Sequence, residues 1–250
     1  MKPNKTIIIT AGMFVLFGLI ILGIAIPKLY ISSASSLKTQ EYTVTENISK
    51  IEISADRSDV HIVSADTDKI SLSYNTDDIN QYDITASNGI LYMKNAFSKR
   101  DVLKWYDYFF SIDFNEYDIT VSIPKGLAVD IQAATAYGEI KAFGVTGNEL
   151  SVTTDYGDIE VSECGFISAE CSTDYGDIEV SRISGGNISL VTDYGDIEGT
   201  ILGNETDYTI DADTNLGDNN LQSRTGGINR LSAKTDCGDI SVRFIRAAGM

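Results

Sequence analysis

Thr154-Asp155-Tyr156-Gly157-Asp158-Ile159-Glu160 recurs without a substitution at Thr173–Glu179 and again at Thr192–Glu198. Weaker copies are Thr135-Ala136-Tyr137-Gly138-Glu139-Ile140, Thr214-Asn215-Leu216-Gly217-Asp218 and Thr235-Asp236-Cys237-Gly238-Asp239-Ile240. The glycines fall at 138, 157, 176, 195, 217 and 238, at intervals of 19, 19, 19, 22 and 21. A period near 20 marks supersecondary units that bury a core only by stacking on one another.

Aligning the copies on that glycine separates inside from outside. Two residues after it stand Ile140, Ile159, Ile178, Ile197 and Ile240, with Asn219 the exception; four after stand Ala142, Val161, Val180, Leu221 and Val242, with Gly199 the gap. Seven and five before it come Ile131 and Ala133, Leu150 and Val152, Ala169 and Cys171, Ile188 and Leu190, Ile210 and Ala212, Leu231 and Ala233. Polar residues fill the places between. Alternation at period two is the pattern of a strand with one buried face. Each unit is therefore strand, tight Tyr-Gly turn, strand and second turn, and the fold class is all-β. A β-solenoid of coils about 4.8 Å apart fits best; a β-sandwich of similar hairpins is the alternative. The Thr of each copy points inward by register and bonds between coils.

Upstream, Ser58-Asp59-Val60-His61-Ile62 repeats the motif with Ser in the glycine place, and Asn88-Gly89-Ile90-Leu91-Tyr92 reads as another turn. Between them and the regular copies lies an aromatic insertion, 97–117, that includes Trp105, Tyr106, Tyr108, Phe109 and Phe110. Function concentrates where a regular scaffold is interrupted, so these five are candidate binding residues. The insertion also reads as a cap over an open edge.

At the N-terminus Ile7–Ile26 is an uncharged run of 20 residues, long enough for the roughly 30 Å hydrocarbon core of a bilayer. The competing reading is a signal peptide, whose apolar part is usually only about 7–15 residues. Lys2 and Lys5 precede the run and Lys28 follows it, which places the N-terminus in the cytoplasm and the rest outside a cell membrane crossed once. The expected organisation is thus a tail and transmembrane anchor over 1–27, a juxtamembrane linker over 28–43, and an extracytoplasmic domain over 44–250 with regular repeats at 131–243. The partner of the anchor is the lipid bilayer.

The quoted elements, together with Ile51-Glu52-Ile53 and Ile119-Thr120-Val121-Ser122-Ile123-Pro124-Lys125, resemble the bacterial "putative adhesin" family common in Gram-positive bacteria. The resemblance covers about 44–243. It implies a membrane-anchored, β-helical domain outside the cytoplasm, with some relatives tied to envelope stress, and it carries no catalytic residues.

Of 250 residues, 19 are Lys or Arg and 36 Asp or Glu, a net charge of −17. The second half concentrates it: residues 131–250 hold 7 basic and 20 acidic side chains, against 12 and 16 before them. Such a balance excludes nucleic acid as a partner, since phosphate binding needs a basic footprint. An envelope protein or polysaccharide is the expected one.

Asp155, Asp158, Asp174, Asp177, Asp193 and Asp196 line the turns in register and are candidate calcium ligands, calcium being the one cofactor the pattern suggests. Against that, Asp is an ordinary turn residue that bonds local amides. Tyr137, Tyr156, Tyr175 and Tyr194 form a row that reads as a stacking platform for sugar rings or as a cover for the turns. Cys164 and Cys171 occupy interior places, with a bridge between them as the alternative. His61 is the only histidine, so a His-based triad has no candidate. The expected function is a non-catalytic adhesion or stress-sensing module, and the alternative is a carboxylate-dependent β-helix hydrolase or lyase acting on wall polysaccharide.

Overall fold

Period-two strands need partners on both edges, and in the computed structural model they find them one coil away. The model describes residues 37–77, 80–96 and 117–246. Every described strand belongs to one compact unit, Lys38–Thr76, Asn80–Ala96 and Glu116–Met250.

The strands are β1 (Lys38–Thr43), β2 (Lys50–Ser54), β3 (Ser58–Ala65), β4 (Ser71–Thr76), β5 (Tyr82–Ser87), β6 (Ile90–Asn95), β7 (Tyr117–Pro124), β8 (Asp130–Thr135) and β9 (Ile140–Phe143). They continue as β10 (Thr146–Thr154), β11 (Ile159–Ser162), β12 (Gly165–Thr173), β13 (Ile178–Tyr194), β14 (Ile197–Leu202), β15 (Tyr208–Leu216), β16 (Asn229–Cys237) and β17 (Ile240–Ile245). Among the described residues the only helical element is the 3-10 turn Glu205–Asp207, and no helix there is long and apolar enough to cross a membrane. The run Ile7–Ile26 lies outside the described residues.

The strands form two faces. One runs β1-β4-β7-β3-β9-β11-β13-β14-β17. The other runs β5-β6-β2-β8-β10-β12-β13-β16-β15. β13 passes from the first face into the second, and each regular coil gives one strand to each. Pairing between coils is parallel and in the register of the repeat, Ile140–Ile159–Ile178–Ile197–Ile240 on one face and Ala133–Val152–Cys171–Leu190–Ala233 on the other. All ten are buried in one continuous core. The coils are therefore solenoid-like, as the alternation predicts.

Three expectations change. First, the copies do not stack in chain order. β16 and β17 lie against β13 and β14, and β15 is outermost. The turn column thus reads Tyr194, Cys237, Leu216. The copy with Asn219 in the isoleucine place is the one at the end, where that side chain need not enter the core. Asn219 Nδ2 donates to the Ala212 carbonyl, and Asn220 grips β17 by donating to Val242 O at 3.1 Å and accepting from Val242 N at 3.0 Å. Second, the linker is shorter than 28–43, because Lys38–Thr43 pairs antiparallel with β4. Five of its six residues are exposed, so it lacks the alternation that betrays a strand. Third, Asn88-Gly89 is not a coil turn but the tip of the antiparallel β5–β6 hairpin. Its φ values of 54° and 79° are the positive pair a type I′ turn requires.

The period-19 glycine has a reason beyond turn conformation. A Cβ on Gly157 would lie 2.0 Å from Gly138 O, on Gly176 2.1 Å from Gly157 O, and on Gly195 2.0 Å from Gly176 O. Each glycine lies directly on the carbonyl of the preceding coil. The same carbonyls accept the buried threonines: Thr154 Oγ1 donates to Gly138 O, Thr173 to Gly157 O and Thr192 to Gly176 O, each at 2.9 Å. Each bond contributes about 1 kcal/mol net.

Candidate functional site

The Tyr-Gly turns line up along one edge of the stack, and their side chains make the most regular surface on the molecule. Because each turn follows a strand in strict register, the rings of Tyr137, Tyr156, Tyr175 and Tyr194 lie one above another. Their centroids are 5.2, 5.1 and 5.0 Å apart and their planes within 6° of parallel. Even so they stay 50–58% exposed. By register Arg57 takes the next place beyond Tyr137, and Cys237 the place beyond Tyr194. Cys237 stands where the tyrosines stand in the other coils, and Leu216 beyond it is exposed.

This geometry separates the two readings of the tyrosine row. Tyr156 and Tyr175 have a neighbour on each face, so they offer no face to a sugar ring. What the ridge presents is a line of ring edges and phenol hydroxyls, with stacking contributing about 0.5–1.5 kcal/mol per pair beyond burial.

The two rows of aspartates behave differently. Asp158 Oδ1 accepts the Asp177 amide at 2.8 Å, Asp177 Oδ1 the Asp196 amide at 2.8 Å and Asp196 Oδ1 the Asp239 amide at 2.7 Å. The ladder extends through Asp239 to Asp218 N, and at its other end Asp59 holds Glu139 N. These carboxylates bond the next coil's amide rather than their own turn's. Asp155, Asp174 and Asp193 are exposed on the other side of the ridge, and no ion pair among the described residues reaches them. Among the described residues there is no group of three or more His, Cys, Asp or Glu placed to hold a metal.

On the adjoining face Lys141 occupies the place of Glu160, Glu179 and Glu198. Its ammonium lies 3.0 Å from Glu139 and 3.6 Å from Glu160. The Glu139 carboxylate raises the lysine's pKa above its ordinary value, against a lowering by partial burial. The pairs are solvent-exposed and of small energetic weight.

Cys164, Cys171 and Cys237 are free thiols, the first two buried. Burial pushes the Cys171 thiol up to about 12, with Cys164 and Glu170 adding to it, and raises Cys164 as well. His61 sits on the outward side of β3, beside Thr120 and Lys141. Of the aromatic insertion, Tyr117 proves to be a buried strand residue opening β7. Trp105, Tyr106, Tyr108, Phe109 and Phe110 lie outside the described residues.

Sequence reasoning missed Arg57 as the end of the tyrosine row, although its place before Ser58-Asp59-Val60 marks it. It also missed the left-handed column at the second turn, where Gly144, Glu163 and Arg182 share φ values of 68°, 55° and 54°. Only the first of them is a glycine, so the composition gave no signal.

Residues 48–249 match the family model described as Toastrack DUF4097. No curated protein matches the chain. Among solved structures, a "putative cell adhesion protein" from Clostridium sporogenes is 12% identical, covering 84% of this chain and 100% of its own, with a TM-score of 0.49. A "putative adhesin" from Bacteroides fragilis is 14% identical, covering 83% and 97%, also at 0.49. A "Putative lipid binding protein" from Parabacteroides distasonis is 14% identical, covering 84% and 98%, at 0.29. With its model match running through nearly all the described strands, the chain belongs to the Toastrack DUF4097 family.

Proposed function

We propose that the chain is a non-catalytic interaction module of the cell envelope, an adhesion or stress-sensing domain displayed outside a membrane. It is held there by residues 7–26 with the N-terminus in the cytoplasm, and it meets an envelope protein or polysaccharide along the tyrosine ridge. The observation that carries this reading is the ridge itself. Four aromatic rings remain at least half exposed in one contiguous row, on coils whose other outward places are mostly Ser, Thr, Asp, Glu or Lys. A contiguous exposed row of large side chains marks a contact surface. With the inner ring faces covered, the partner approaches the ring edges and phenol hydroxyls, and the flanking carboxylates favour donors and cations on its side. The regular carboxylates support no catalytic role, because acid–base chemistry needs one group set apart from its neighbours by environment.

The test is recovery of envelope components on the full-length protein and on its Tyr156→Ser/Tyr175→Ser variant, with the melting temperature of both recorded. The proposal expects a component bound by the parent and lost at least tenfold in a folded variant. Equal recovery by both proteins would remove the ridge from the account. Protease access in whole cells tests the topology: digestion of 44–250 from outside is expected, and complete protection would overturn it.

A further inference from the structure

The described sheet edges are not treated alike. At one end of the stack β17 is gripped by Asn220, and β15 is bridged across its middle, where Ile210 and Arg224 exchange backbone hydrogen bonds at 2.9 and 3.0 Å. At the other end β1 closes the first face and, among the described residues, pairs with β4 alone. It contains no proline and no bulge, the devices that usually blunt an edge.

Its pairing fixes which backbone groups it offers. The Val44 amide donates to Ile70 O, and the register runs Tyr42 opposite Leu72, Gln40 opposite Tyr74 and Lys38 opposite Thr76. Even-numbered residues therefore turn their N–H and C=O groups toward β4, since hydrogen-bonded pairs alternate along an antiparallel ladder. Thr39, Glu41 and Thr43 turn theirs outward.

We infer that β1 is a dimerisation edge whose occupant is the β1 strand of a second copy, paired antiparallel about a two-fold axis. Only registers that set odd-numbered residues opposite odd-numbered residues satisfy the outward groups. The register placing Glu41 opposite its own mate sets two carboxylates face to face and is disfavoured. The neighbouring register places Thr39 opposite Glu41 of the second copy, with the hydroxyl able to donate to the carboxylate. It also sets Lys38 opposite Tyr42, a cation beside an aromatic ring, and Gln40 opposite Gln40. The charges of this short strand thus select one self-complementary arrangement, as an isologous contact requires. The inference stands without the anchor. If residues 7–26 hold the chain in a bilayer, two copies share one plane and a weak edge pair forms at a raised effective concentration.

The register makes the test specific. A directly opposed non-hydrogen-bonded pair has its Cα atoms about 4.5 Å apart, within disulfide reach. Glu41 stands diagonal to its mate at roughly 7–8 Å. The full chain carrying Cys237→Ser, in its native membrane, receives Gln40→Cys or Glu41→Cys and a mild oxidant. A disulfide-linked species of twice the monomer mass is expected in most of the Gln40→Cys protein and in at most about a tenth as much of the Glu41→Cys protein. Adding Thr39→Pro, which removes an outward donor that β4 does not use, should cut the Gln40→Cys product about tenfold with the melting temperature unchanged. Absence of that product, equal yields at 40 and 41, an adduct with a different protein, or survival of the product in a folded Thr39→Pro chain would each overturn the inference.

Discussion

Gly176→Ala puts the packing of the coil stack to a quantitative test. The new Cβ would sit 2.1 Å from Gly157 O and 2.7 Å from its carbonyl carbon. Ordinary contact for such a pair is above 3 Å, so two backbones must separate by about 1 Å, and neither contact is the tip of a side chain that could swing away. The displacement disturbs the Thr173 and Thr192 hydrogen bonds to the Gly157 and Gly176 carbonyls, at about 1 kcal/mol each. Overpacking adds about 1–3 kcal/mol, and the stiffer unfolded chain offsets about 0.4–1 kcal/mol. The net loss is about 3 kcal/mol, which for a domain of this size lowers Tm by about 6–12 °C. Gly165→Ala is the control. Its nearest neighbour is the Ser184 hydroxyl at 3.1 Å, a side chain free to rotate, and the expected change is under about 1 kcal/mol. Circular dichroism melts of both variants decide the matter. A Gly176→Ala protein melting within about 2 °C of the parent would refute the close-approach argument.

Three further outcomes follow from the same geometry. Asp177→Ala, which strips a charge-assisted bond from the Asp196 amide, should cost about 1.5–3 kcal/mol in a denaturant melt. Asp174→Ala should stay within about 0.5 kcal/mol, and millimolar calcium should leave the parent's melting curve in place. Tyr194→Cys should oxidise readily with native Cys237, its neighbour across the ladder; bridging of Tyr194→Cys to Leu216→Cys in a Cys237→Ser chain would instead favour stacking in chain order. For the thiols, Cys237 alone should react with a thiol reagent at pH 8 until denaturant exposes the buried pair. Because the folded Cys171 pKa is raised to about 12, its contribution to stability is fully present below the unfolded thiol value near 8.5 and declines as pH rises toward 12. Cys171→Ala should remove that part of the alkaline slope.

The strands with one buried face were legible because alternation at period two is a direct image of burial. Ile140, Ile159, Ile178 and Ile197 announce a ladder before any coordinate is known, and Thr154, Thr173 and Thr192 fall inward on the same count. The order of the coils was not legible. Parallel registers differing by one whole coil bury the same residues, so Tyr194 could have met either Leu216 or Cys237. The one clue was Asn219, a polar residue in an isoleucine place, which fits only at the end of the stack. β1 escaped notice for the opposite reason, being an edge exposed on both sides. At the turn edge the sequence placed the tyrosines and aspartates in rows, yet the consequences of a coil spacing near 5 Å emerged only in three dimensions. At that spacing a carboxylate reaches the next coil's amide, and ring faces close on one another.

The central functional claim is that the ridge is the surface a partner touches. A photo-reactive phenylalanine analogue placed at Tyr175 in the full-length protein in living cells tests it most directly, with the same analogue at Ser189, on the outer side of β13, as the reference. The account predicts a discrete covalent adduct from position 175 and none from position 189. An adduct from 189 with none from 175 would contradict it.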